Sequence, residues 1–318
     1  RSITRRSNSK RINYMIKFYV PKGVTRRASV RFRATVPLKG MREEDGFIEK
    51  VEYAKPGELI VLAKNTNIED VKFLIKNKIK FIFDVCDDKW NKNPELYNFA
   101  CQNANLVTTT CELLQTKIKE YTGKTAFIIP DPTEREREEP NFDPKKHIKF
   151  SWFGGRKSFS LFNWDNVVQD IRQVTNNFSI HAICNKPEKA SKRLAHLIEA
   201  KVMNMYSWGY EEQGKLVRES DIVLLPLGQD MPLVKVKSPN RVIDAIQQGK
   251  YVITNNGVDS YKELKDYIHI GNITEGLKWA LNNKDQVIEK IKKGQEYVLK
   301  HHSPKIIGQR WIETEKLV

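Results

Sequence analysis

The sequence lacks the marks of several common protein classes. Its 318 residues include only four cysteines, Cys86, Cys101, Cys111 and Cys184, with no C-x-x-C pair and no histidine at metal-ligand spacing. A disulfide framework, a zinc site or any other metal site is therefore not expected, and a reducing cytoplasm is the expected setting. No run of about 18 apolar residues occurs, so no membrane-spanning helix is expected. The first apolar run, residues 12–20, is interrupted by Asn13 and Lys17 and reads as a strand rather than a signal peptide. There is no G-x-S-x-G elbow, no P-loop and no G-x-G-x-x-G turn, which counts against hydrolase, kinase and dehydrogenase chemistry. The six histidines form no pattern and read as structural or exposed, and no internal repeat stands out. Most tellingly, residues 1–42 contain no acidic residue at all.

Those 42 residues hold thirteen Lys and Arg, so they carry +13 of the chain's formal +16. An arm over residues 1–11 supplies Arg5, Arg6, Lys10 and Arg11, and Arg26, Arg27, Arg31 and Arg33 follow. Such a block attracts a polyanion, either nucleic acid or an anionic membrane surface; charge alone encodes no base sequence. The rest of the chain is close to neutral and, with 40% hydrophobic residues overall, rich enough in apolar side chains to fold.

Short apolar runs alternate with helical patterns, the signature of α/β domains with parallel sheets. Strands are expected at 13–20, 59–63, 80–84, 106–109 and 125–129. Helices are expected near 29–41, 68–77, 94–103 and 112–121. The pattern breaks at 131–146, DPTEREREEPNFDPKK, which has three prolines and no apolar periodicity. A second series follows, with strands at 147–153, 178–184, 202–207, 222–226, 251–254 and 267–270. The expected organisation is a first domain at 1–133, a linker at 134–146, a second domain at 147–300, and a helix in 301–318 packing back on the first domain. Two doubly wound domains would face a cleft at the carboxyl ends of both sheets.

Residues 219–257 carry the most information. Residues 222–225 form an apolar, buried-strand run, and a loop then leads to a helix with Ser238 as N-cap and Pro239 at the first position. Gly249 stops that helix. A helix N-terminus after a buried strand offers free N–H groups and partial positive charge, and Lys237 and Arg241 add formal charge beside it. The alternative is an ordinary capped helix.

This stretch resembles the nucleotide-sugar site of GT-B glycosyltransferases, in particular the family-four-like group. That group reads approximately K-x-S/P-N-R-x-x-E-A-x-x-x-G; here stand Lys237, Ser238, Pro239, Asn240, Arg241, Asp244, Ala245 and Gly249. In the first half, ASVRFRATVPLKGM, KFIFDVCDDKW, and ANLVTTTCELLQTKI followed by AFIIPDP resemble that group's segments in the same order. The resemblance implies two Rossmann-like domains and metal-independent transfer with retention. It implies a nucleotide-diphosphate sugar as co-substrate rather than a cofactor, with a UDP-sugar as the commonest donor. It also implies that Asp244 meets the ribose where the group more often has Glu, and that Ser238, Asn240 and Arg241 hold the diphosphate. Gly154, Gly155, Arg156 and Lys157 resemble the group's phosphate-binding turn, with Arg156 or Lys157 neutralising the leaving group. One departure stands out: the group often has a second carboxylate eight positions before this one, and here Val236 occupies that position. Asp230 is the candidate replacement.

Asp84, Asp87 and Asp88 close a predicted strand and are candidates to orient an acceptor hydroxyl or take its proton; turn chemistry explains them equally well. Arg31 and Arg33 point to acceptor or donor phosphate, or to a solvated basic face. The aromatic run Phe150, Trp152, Phe153, Phe159, Phe162 and Trp164 reads mainly as core, with Phe159 or Phe162 as candidates to line the cleft. For the acceptor, hydroxymethylated DNA, as in bacteriophage DNA-modifying sugar transferases, is placed slightly ahead of a lipid-linked or envelope glycan at an anionic membrane. Behind both stands a non-catalytic nucleic-acid-binding protein on the same scaffold. No obligate protein partner is implied, and a phage protein would act in the host cytoplasm.

Overall fold

The computed structural model describes residues 14–25, 27–64, 66–144, 147–160, 162–191, 194–226, 235–255 and 258–318. The candidates Arg5, Arg6, Lys10, Arg11, Arg26 and Asp230 lie outside the described residues.

Two six-stranded sheets carry the chain. The first comprises β1 (Met15–Tyr19), β2 (Gly46–Ile48), β3 (Glu58–Leu62), β4 (Lys80–Val85), β5 (Leu106–Thr109) and β6 (Phe127–Ile128), ordered β2-β1-β3-β4-β5-β6. The second comprises β7 (Ile148–Gly154), β8 (Phe178–Cys184), β9 (Met203–Ser207), β10 (Ile222–Leu224), β11 (Tyr251–Thr254) and β12 (His269–Ile270), ordered β12-β11-β10-β7-β8-β9. Among the described residues every strand pairing is parallel. Helices cover both faces, so central strands such as β3, buried along its whole length, are apolar almost without alternation. In each sheet the strand order reverses once, between β1 and β3 and between β7 and β10. Ligands of open α/β sheets bind at such reversals.

The aromatic run forms the second domain's core. Trp152 is ringed by Phe159, Phe162 and Trp164 at centroid distances of 5.0, 6.1 and 6.0 Å. Phe159 and Phe162 are thus buried among aromatics rather than in the cleft lining. After the long helix Lys284–His302, the chain crosses back, and the helix Pro304–Glu313 lays Ile307 and a fully buried Trp311 into the first domain's core. Trp311 meets Phe18 edge-on at 5.1 Å. Gly308 makes the approach possible, because a Cβ there would lie 2.5 Å from the Gly40 carbonyl carbon.

One expectation needs correction. The helix near 29–41 is a helical run over 28–38 whose middle turn, Arg31–Thr35, is π-helical, which changes the angular spacing of its arginines. At the start of the stretch read as a linker, residues 131–135 are packed in place. Asp131, Pro132, Thr133 and Arg135 are buried. The Arg135 guanidinium stacks 3.8 Å from the Tyr210 ring, and the Tyr210 hydroxyl donates to the Glu134 carbonyl at 2.6 Å. Thr133 N donates to the His302 carbonyl, and His302 Nδ1 meets the Asp131 carbonyl at 2.9 Å, so the two crossings between domains are tied together. Among the described residues no helix is long and apolar enough to cross a membrane.

Candidate functional site

A cleft of about 540 Å³ opens between the domains. Its lining follows or closes the carboxyl ends of the strands, from Ala28 after β1, Lys64 after β3 and Asp87 after β4 to Gly154 on β7, Asn185 after β8, Trp208 after β9 and Lys237 after β10. The two strand-order reversals therefore face one another across this space.

The second domain's wall is cationic and rich in main-chain donors. Helix Asn240–Gln247 starts there with Pro239, not Ser238, as N-cap, and no side chain caps it. Its first N–H groups therefore lack intrahelical partners, and its positive end faces the cleft. Arg241 Nη1 donates to the Phe153 carbonyl at 3.2 Å and lies against Gly154. A Cβ on residue 154 would stand 3.0 Å from Trp152 and 3.1 Å from that guanidinium, so glycine is what lets Arg241 lie along the strand end. Burial and then the neighbouring Arg241 push the Lys237 pKa down. An anion placed between Lys237 and Arg241 would relieve that repulsion.

Arg156 and Lys157, candidates for the same wall, sit on the short helix Arg156–Phe159 and do not line the cleft; Ser158 does. The backbone N–H of Arg156 is held by Asn185 at 2.9 Å. Gly154 and Gly155 line the cleft, and Arg156 and Lys157 are not among its lining residues.

The first domain's wall holds a mixture of ion pairs. Lys64 and Asp87 pair at the ends of β3 and β4 and both line the cleft. Asp88 stands aside, donated to by Lys117 at 2.6 Å. Asp84 is buried and is not a cleft residue: the Arg33 guanidinium grips both its oxygens at 2.7 and 2.9 Å, and the Thr108 hydroxyl donates to it at 2.8 Å. Arg33 is only 2% exposed and also reaches Asp131 at 3.1 Å and the Ile129 carbonyl at 2.6 Å. Burial alone would lower its pKa, but Asp84 and then Asp131 raise it. The Asp84–Arg33 pair thus frames this wall from within, with Asp84 outside the lining and Arg33 at its edge. Arg27 and Arg31 line the cleft, as Arg33 does. Arg31 makes a two-pronged pair with Glu134 at 2.8 and 2.9 Å and lies 5.0 Å over the Trp208 ring, bridging the domains.

Asp244 closes the site at the crossing. It is 2% exposed and accepts bonds from the Thr133 hydroxyl at 2.9 Å and the Glu134 N–H at 3.0 Å. Burial and then the Glu134 charge push its carboxyl pKa up to about 8. Between the ordinary carboxylate range and that pH, the folded chain keeps a proton that the unfolded chain has released. Stability therefore falls as pH rises through that window. Asp244→Asn removes the titration yet keeps an oxygen for Thr133 and Glu134. The variant is expected to gain steadily on the wild type as pH rises from 4 to 8 and then to keep that gain. Thermal melts across that range check this; parallel curves would contradict it.

Val236, where the resemblance would have a carboxylate, is not among the residues lining the cleft. It is 3% exposed and belongs to the apolar core of the first domain. Several lining residues were absent from the sequence reading. Lys64, directly behind the apolar run ELIVLA, was findable as the first charge past a buried strand; Trp208, Gln213 and Glu134 carried no signal.

No family model and no curated protein matches the sequence. Solved structures do match its fold. A glycosyltransferase from Rickettsia africae ESF-5 superposes with a TM-score of 0.62 over 96% of this chain and 98% of that one, at 11% identity. TarM gives 0.60 over 81% of this chain and 55% of that one, at 12% identity. The pneumococcal O-GlcNAc transferase GtfA, solved with UDP and GlcNAc, gives 0.58 over 89% and 59%, at 11% identity. The chain thus spans a little over half the length of the last two. The likeness is one of fold: two Rossmann-like domains facing a cleft, the GT-B arrangement.

Proposed function

We propose that the chain is a sugar transferase that takes a nucleotide-diphosphate sugar, with UDP-sugar favoured, and delivers the sugar to a hydroxyl on a polyanionic acceptor. The observation that carries this reading is the second domain's wall, where Lys237, Arg241 and an uncapped helix N-terminus converge beside Gly154 and Gly155. That wall suits a diphosphate. As the bond from the sugar's anomeric carbon to the phosphate oxygen breaks, charge builds on the leaving diphosphate, and preorganised cations stabilise it where it forms. This chemistry needs no metal, and retention at the anomeric carbon is the outcome we assign. Ser238 and Asn240 complete the phosphate contacts, and Asp244 holds the ribose. Asp87, fixed by Lys64, orients the acceptor hydroxyl from the opposite wall. GtfA's structure with UDP and GlcNAc supports the class of donor.

For the acceptor, the basic excess of residues 1–42 favours a polyanion even with Arg31, Arg33 and Arg42 paired to acidic residues within the fold, and hydroxymethylated DNA is our first assignment. A cleft of about 540 Å³ is too small for a duplex, so the target base must be flipped out of the stack. The test is duplex binding against salt, with anionic liposomes in parallel, followed by transfer of labelled sugar to hydroxymethylated DNA. The expected log–log slope is several units, about 0.9 for each phosphate neutralised. Neutralising Arg5, Arg6, Lys10 and Arg11 together is expected to flatten the slope and spare nucleotide affinity. Liposome binding without DNA binding would move the acceptor to a lipid-linked glycan. DNA binding without nucleotide affinity would mean a binding protein that performs no transfer.

A further inference from the structure

We infer that Val236 is a positioning residue: it ties the donor-phosphate wall to the first domain, so that Lys237 and Ser238 are held in place only while the domains are closed. The inference rests on the donor-site reading above and deepens it.

Val236 belongs by sequence to the second domain, between β10 and the helix Asn240–Gln247. Its side chain is nevertheless 3% exposed and belongs to the first domain's core cluster. Its carbonyl accepts from Cys111 Sγ at 3.7 Å, and Cys111 is the N-cap of the first-domain helix Glu112–Thr122. The next carbonyl, that of Lys237, accepts instead from the Ser260 hydroxyl of the second domain. Two consecutive peptide units are therefore pinned to opposite domains. Directly after them come Ser238 and the uncapped helix N-terminus, with Lys237 and Arg241 alongside.

A valine side chain offers nothing to a phosphate or a sugar, so any effect of Val236 on the donor must pass through geometry. When the domains part, the side chain must leave an apolar pocket, and the loop loses its anchor on that side. The loop's position and the cleft's closure are therefore one equilibrium. A carboxylate here would be buried among apolar groups, at a desolvation cost that valine avoids.

The test is Val236→Ala, with Val236→Ile as the conservative rescue. Amide hydrogen exchange is measured on the whole chain without nucleotide, and affinity is measured for UDP, GDP and ADP. Val236→Ala is expected to speed exchange about tenfold across residues 235–241 while the helix Glu112–Thr122 keeps its protection. It is also expected to weaken the best nucleotide about tenfold. Val236→Ile is expected to restore both. Unchanged exchange at 235–241, or faster exchange with an unchanged dissociation constant, overturns the inference. Faster exchange confined to Glu112–Thr122 also overturns it, because Val236 would then serve only the first domain's core. If the wild type binds none of the three nucleotides, the donor reading falls, and the exchange pattern alone still decides whether Val236 holds the loop.

Discussion

Replacing Arg33 with alanine is expected to destabilise the protein by about 3–5 kcal/mol, the cost of breaking a buried ion pair by removing one partner. The size follows from what is left behind. Asp84 and Asp131 are both buried, and the Arg33 guanidinium is the cation that compensates them. Burial already pushes the Asp131 carboxyl pKa up, and Arg33 is the largest influence pulling it down. The guanidinium also lies 5.3 Å from the Trp311 ring, so its loss loosens the seat of the C-terminal helix. Adding Asp84→Asn to Arg33→Ala is expected to recover part of the stability, since one uncompensated charge is removed. Denaturant unfolding of the two variants measures this. A loss below about 1 kcal/mol for Arg33→Ala would mean that water reaches the three charges and that the pairs are not buried in solution.

Arg241→Ala is expected to reduce sugar transfer about 100- to 1,000-fold, the usual effect of deleting one preorganised group that stabilises developing charge. Arg241 is held for that task by the Phe153 carbonyl and by the space that Gly154 leaves. Its removal leaves Lys237 as the remaining cation beside the helix terminus. The effect is expected mainly in turnover, with a smaller loss of nucleotide affinity, because charge on the diphosphate grows as the sugar departs. Arg156→Ala is the matched control: it removes a nearby arginine that does not line the cleft and is expected to change turnover little. Equal losses in the two variants would place the diphosphate elsewhere.

Much of the scaffold was legible because burial on both faces leaves a simple mark. The apolar runs at 178–184 and 251–254 coincide with β8 and β11. β2 was not legible: it is a three-residue edge strand with only Ile48 buried. The helix Asn240–Gln247 was read one residue early at its start, because Ser before Pro is the pattern of an N-cap. The site was harder to read because its charges meet across long separations. Arg33 and Asp84, 51 positions apart, both look like cleft chemistry until they are found gripping each other. Glu134 and Asp244 meet from 110 positions apart, so a proline-rich stretch that reads as a linker becomes part of the site. Arg156 and Lys157 follow the strand end at Gly154 by two and three residues, yet they are not in the cleft lining. Pattern locates a strand end; which way the following side chains turn is decided by packing.

The second domain's wall is the proposed diphosphate site. The most direct measurement is calorimetric titration of UDP into the wild type and Arg241→Ala, with uridine as the control lacking phosphates. The expected result is measurable UDP binding to the wild type, at least tenfold weaker in Arg241→Ala, and much weaker binding of uridine by both. UDP binding no tighter than uridine, or equal in the two proteins, would contradict the assignment of Lys237, Arg241 and the Asn240 helix end to the donor.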